Sequence, residues 1–139
     1  MSMPTATDTL TTSELNITDA QGRTRMQLLA DADGPALRLL REDGNEGARV
    51  SLDANGLGAL TLGNPDAAGP TARLEVDAKG THVKFERPGG ATAYVFLNNA
   101  GTSGLVLVDG DGKRRIAATV TADGSSRIER YDAEGNALE

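Results

Sequence analysis

His82 is the only histidine in the chain, and the short alternating run that carries it places it beside Glu75 on the outward face of a hairpin. An imidazole next to a carboxylate is the first pair to weigh for proton transfer or metal binding. No second histidine and no cysteine accompanies it, so the residues offer neither a thiolate metal set nor a nucleophile with its base. Asp31-x-Asp33-Gly34 and Asp109-x-Asp111-Gly112 resemble the start of a calcium loop, because a hard cation wants several carboxylate oxygens within a few residues. The EF-hand pattern also needs a third oxygen ligand and a late glutamate. Here Gly34 and Gly112 come too early, and Val120 stands in the glutamate position. Asp-x-Asp-Gly is in any case a good turn. Gly101-Thr102-Ser103-Gly104 lacks the spacing of a nucleophile elbow, and Gly56-x-Gly58 has no helix to open as a dinucleotide site. The remaining carboxylates sit at turns, where ordinary pKa values are expected, and acid–base pairs need values pushed apart. The expectation is no catalytic residue, no metal, no cofactor and no enzyme.

The elements that hold these residues are short strands. Leu74 to Phe85 shows the device: Leu74 and Val76 alternate with Glu75, Val83 and Phe85 alternate with His82 and Lys84, and a period of two marks half-buried strands. Asp77 to Gly80 makes the loop. Asp77 suits the start of a turn, Gly80 suits a position with positive φ, and the pairing sets Leu74 opposite Val83 and Ala72 opposite Phe85. Similar turns recur about every 11 to 12 residues, so the repeating unit is a hairpin of about 22 or 23 residues. Five such units run from Ile17 to about Arg130. The fold class is therefore all-β, an antiparallel meander of about 10 to 12 short strands in one domain over residues 14–139, after a flexible leader over residues 1–13.

Composition agrees. The 139 residues include 17 glycines and few aromatics, which suits tight turns joined by aliphatic strands rather than long helices. A net charge of −6 argues against a nucleic-acid partner, and the one basic cluster, Lys113-Arg114-Arg115, is short. The first 13 residues lack the basic start and apolar core of a signal peptide, and no apolar run approaches the roughly 20 residues of a membrane helix. A cytoplasmic location is expected, with peripheral membrane contact left open.

The first strand reads as the second half of a unit and residues 136–139 as the first half of another, so pairing the chain ends would close a ring and remove exposed edges. Leu138-Glu139 also matches an expression-tag scar, which would weaken that last strand. A ring of ten to twelve strands is wider than its side chains can fill, unlike one of about eight. Leu15, Ile17, Leu37, Leu39, Val50, Leu52, Leu60, Leu62, Leu74, Val76, Val83, Phe85, Ile116 and Ile128 would then line an apolar channel able to hold a lipid tail or another hydrophobic ligand. A flattened sandwich would turn the same residues into core, and an open β-solenoid uses the same strands and turns.

Alternation fails in Tyr94-Val95-Phe96-Leu97 and Leu105-Val106-Leu107-Val108, which are apolar on both faces and must cover something on both. Val95, Leu97, Val106 and Val108 are the candidate interface, either between copies or with a membrane. The leader folding over this hairpin is the alternative.

The repeat, in Leu74 to Phe85 and again in Val50 to Leu62, resembles the Asp-x-x-Gly hairpins of bacterial proteins described as β-flower. The resemblance covers about Leu15 to Gly135. It implies a shallow, nearly symmetric barrel around an apolar channel, and a distant similarity of that group to Tubby-like domains implies membrane or lipid association. This chain lacks both the long apolar helix and the basic groove of a Tubby-like domain. The leading expectation is thus a non-enzymatic closed barrel that binds a lipid or small hydrophobic ligand. The alternatives are a structural module forming homo-oligomers through residues 94–108 and a sugar binder, for which Tyr131 is the obvious stacking aromatic.

Overall fold

The computed structural model describes residues 9–138. Twelve strands follow one another: β1 Glu14–Thr18, β2 Thr24–Asp31, β3 Gly34–Leu40, β4 Glu46–Leu52, β5 Gly58–Leu62, β6 Thr71–Asp77, β7 Gly80–Glu86, β8 Thr92–Asn98, β9 Ser103–Val108, β10 Arg114–Val120, β11 Ser126–Tyr131 and β12 Ala137–Leu138. They pair antiparallel in sequence order as one sheet, and the expected all-β meander is what the chain forms. Residues 9–13 carry no strand and are exposed, so β1 starts where the leader was expected to end. The rest of the leader lies outside the described residues.

Turn chemistry explains the strand spacing. At Asp53 the carboxylate Oδ1 accepts the amides of Asn55 (2.8 Å) and Leu57 (2.9 Å), while the Gly56 amide donates to the Asp53 carbonyl. Gly56 then takes a φ of 79°, the left-handed conformation that closes a type I turn with a bulge. The same arrangement recurs from Asp109 to Gly112 and from Asp132 to Gly135. The β6–β7 turn is tighter: Asp77 pairs directly with Gly80, and the register is Leu74 opposite Val83 and Ala72 opposite Phe85, as the alternation requires. A Cβ on Gly80 would collide with the carbonyl oxygen of Leu97 on β8, so a glycine is needed there for close approach.

The sheet does not close. β1 pairs only with β2 and β12 only with β11, so the expected ring is an open meander. Strand contacts are confined to sequence neighbours, so the described residues form no second layer. Both edges are short, five residues at β1 and two at β12, and β1 carries a register shift between Ile17 and Thr18. Short, irregular edges discourage further strand addition.

Facing pairs put apolar residues on one side of the sheet. A central row runs Leu15, Leu28, Leu37, Val50, Leu60, Leu74, Val83, Val95, Leu105, Ala118 and Ile128 from β1 to β11. The opposite side carries Gln27, Arg38, Arg49, Thr61, Arg73 and Lys84 in the corresponding row. Ala36, Val106 and Ala117 are the only buried hydrophobic residues among those described, and all three belong to this polar side.

Gly80→Ala is expected to destabilise by about 1–3 kcal/mol, because the neighbouring strand must move. Gly56→Ala, whose Cβ would meet nothing within 4 Å, meets only the left-handed backbone penalty of about 1–2 kcal/mol. Thermal melts followed by circular dichroism check the order, with Gly80→Ala having the lower Tm.

Candidate functional site

All eleven candidate channel residues, Leu37, Leu39, Val50, Leu52, Leu60, Leu62, Leu74, Val76, Val83, Phe85 and Ile116, share the apolar side, since each lies in register with, or two residues from, a member of one row. In the open sheet they lie together on one face. Exposure is correspondingly high for such residues, 36% at Val83 and 53% at Phe85. The surface also has a relief. Beside the central row on one flank, Ala48, Leu62, Ala72, Phe85, Ala93 and Leu107 alternate small and large from strand to strand. On the other flank, Gly58 on β5 faces Leu52 on β4, Thr81 faces Val76, and Leu97 faces Ser103. From β4 to β9 the even-numbered strands are tall on one flank and the odd-numbered strands on the other, which makes a staggered field of knobs and holes; Met26 on β2 and Ile116 on β10 break the pattern toward the edges.

The candidate interface does not form one patch. Val95 and Leu97 stand on the apolar side, 54% and 55% exposed, whereas Val106 lies across from Tyr94 on the polar side and is 3% exposed. Val108 pairs with Thr92 and shares the side of Val106. Hairpin 94–108 is two-sided, as the sequence indicates, because its second side fills a small polar-face cluster with Tyr94, Phe96 and Ala117 around Val106.

On that polar side Glu75 faces His82 across β6 and β7, and His82 Nε2 lies 2.8 Å from Glu75 Oε1. The Arg73 guanidinium holds the other oxygen of Glu75. Asp77, two residues along from Glu75, brings a carboxylate oxygen into the same group; the donor atoms of Glu75, Asp77 and His82 all lie within 4.8 Å of one another, and all three residues are half-buried. Asp77 Oδ1 accepts the Lys79 amide (2.7 Å) and the Gly80 amide (2.9 Å). A cleft of about 360 Å³ adjoins this group and is lined by Lys84, Tyr94, Phe96, Leu97 and Asn98 beside His82 and Asp77. The Tyr94 and Phe96 rings stand 5.8 Å apart. Sequence reasoning found the Glu75–His82 pair and missed Asp77 and the aromatics. The signal was present: residues 75 and 77 share a side at a spacing of two, and Tyr94 and Phe96 occupy the rungs beside Lys84 and His82.

The Asp-x-Asp-Gly segments are turns. Asp31 accepts the Asp33 amide, and Asp109 accepts the amides of Asp111 and Lys113 while its second oxygen takes the Arg115 guanidinium. Asp19, Asp53, Asp77, Asp109 and Asp123 depart from the ordinary values expected at turns. Hydrogen bonds from the Thr121 hydroxyl and the Ser125 amide hold Asp123 down to about 2. At Asp19 desolvation opposes ionisation, but the Arg23 amide and guanidinium and the Gln21 amide outweigh it and bring the group to about 2. Asp53, Asp77 and Asp109 shift in the same direction, chiefly through the amides of Leu57, Lys79 and Lys113 respectively. Depressed carboxylates favour the charged form and are poor proton donors at neutral pH.

No family model and no curated protein matches the chain. Among the described residues, no helix is long and apolar enough to cross a membrane.

The turn carboxylates imply a definite pH dependence. A folded-state pKa below the unfolded value stabilises the fold above the unfolded pKa, and the contribution disappears as pH falls through the folded one. The Tm should therefore hold steady down to about pH 4 and fall between about pH 4 and pH 2, the window set by Asp19 and Asp123. Asp123→Asn should flatten part of that fall in melts across the acid range.

Proposed function

We propose that the protein is a non-enzymatic structural module whose apolar sheet face docks on the same face of a second copy. The observation that carries this reading is the staggered field of large and small side chains on a face that nothing among the described residues covers. Interdigitating layers need such alternation, as in the two facing sheets of a sandwich packed about 10 Å apart. A fluid acyl phase would not need it. The area is ample: strands of mostly five to eight residues, at about 3.3 Å per residue and with neighbours about 4.8 Å apart, make a face of roughly 1,000 Å², against the roughly 800 Å² per partner of a standard interface. Such a dimer turns both polar sides outward, where the net charge of −6 per chain keeps it soluble. The longest strand, β2 with eight residues, is shorter than the roughly 9–11 residues of a bilayer-spanning strand, which favours a protein partner over a membrane-spanning one.

A second reading keeps the apolar ligand. If β1 and β12 meet in a closed barrel, the eleven residues that share the face would line a channel for a lipid tail, as the β-flower resemblance implies. The common side of those residues favours it, and the short, open edges weigh against it.

Light scattering after size exclusion separates the two. The wild type should elute as a dimer, and Val83→Asp, which places a carboxylate in the central row, should give a folded monomer or aggregate, with an apparent dimer dissociation constant raised at least 100-fold. Lys84→Asp on the opposite side should remain dimeric. A wild-type monomer that carries a co-purified lipid by native mass spectrometry would overturn docking in favour of the channel.

A further inference from the structure

The polar side carries a separate opportunity, and we propose that Glu75, Asp77 and His82 form a binding site for a borderline divalent cation of the zinc, nickel or cobalt type. One imidazole nitrogen and two carboxylate oxygens already lie within 4.8 Å of one another. They are fixed by one hairpin: Glu75 and His82 are a cross-strand pair, and Asp77 closes the same hairpin through its pairing with Gly80. Donors around zinc lie about 2.0–2.2 Å from the metal, so the three groups need only modest side-chain movement to surround an ion. The 2.8 Å contact between His82 Nε2 and Glu75 Oε1 would open slightly to admit the ion, which binds the lone pair of a neutral imidazole.

The donor set selects the metal. Calcium and magnesium prefer all-oxygen shells, whereas an imidazole with carboxylates suits borderline first-row ions. Asp77 can serve without losing its structural task, because Oδ1 receives both turn amides and Oδ2 remains for the ion. Arg73 competes for Glu75, and Lys84 is drawn away by Glu86 at 2.7 Å. Three protein donors leave a fourth position open. It would face the cleft lined by Tyr94 and Phe96, where water or a small anionic ligand could complete the shell.

This site lies on the side opposite the docking face, so its failure leaves dimerisation untouched and the reverse also holds. The full chain, freed of any affinity tag and treated with chelator, is titrated with zinc chloride and separately with calcium chloride by calorimetry. The ring signal of His82, the only imidazole, is followed by NMR. One zinc ion per chain should bind saturably and shift that signal, and calcium should do neither. His82→Gln and Asp77→Asn should each weaken zinc binding at least tenfold. Glu75→Gln, which leaves the turn intact, should do the same and guards against a turn defect in the Asp77 variant. The absence of saturable zinc binding up to millimolar concentration overturns the site. Zinc binding that depends on His82 but is unchanged in both carboxylate variants overturns it too, since it would be a lone surface imidazole.

Discussion

The organising constraint is that a single antiparallel layer has two faces, and the described residues cover only one of them. Small polar-side residues such as Ala36, Val106 and Ala117 are buried by the longer side chains around them. Among the described residues the apolar side has no such cover, because strand contacts reach only sequence neighbours. Apolar surface left in water is the term that folding most needs to remove, which is why the proposed function rests on this side. Turn carboxylates, glycines and short edges fix the shape of the layer and leave this requirement unmet.

The repeated turn explains how one hairpin pattern yields so large a face. Each Asp or Asn at the turn start gathers backbone amides, as Asp53 and Asn98 do, and each following glycine takes the left-handed conformation that returns the chain antiparallel. Register then follows from the turn, and register aligns Leu74, Val83, Val95 and Leu105 in one row. Placing Ala72 against Phe85 and Val76 against Thr81 builds the relief into the same repeat. Local hydrogen bonding and the relief of the apolar face thus have a common cause.

Much of this was readable beforehand. The period of two at Leu74 to Phe85 fixed strand, turn and facing pairs, because side-chain direction in a strand depends only on parity. Closure was not readable, since ring, sandwich and open layer share the same alternation and differ in long-range geometry that parity does not encode. The two-sided hairpin was visible, but Val106 was placed with Val95, although an antiparallel pair puts Val95 with Leu105 and turns Val106 to the other side. His82 with Glu75 was visible as a pair. The third carboxylate at Asp77 was hidden by its evident role in the turn.

The most direct measurement uses the absence of native cysteine. A nitroxide label at Val83→Cys reports on the apolar side, and one at Lys84→Cys reports on the polar side. Docking predicts that the label at position 83 is shielded from a water-soluble relaxation agent and shows dipolar broadening that disappears when labelled protein is diluted with unlabelled protein, while the label at position 84 stays accessible. Equal accessibility at both positions, with no broadening at 83, would contradict the account.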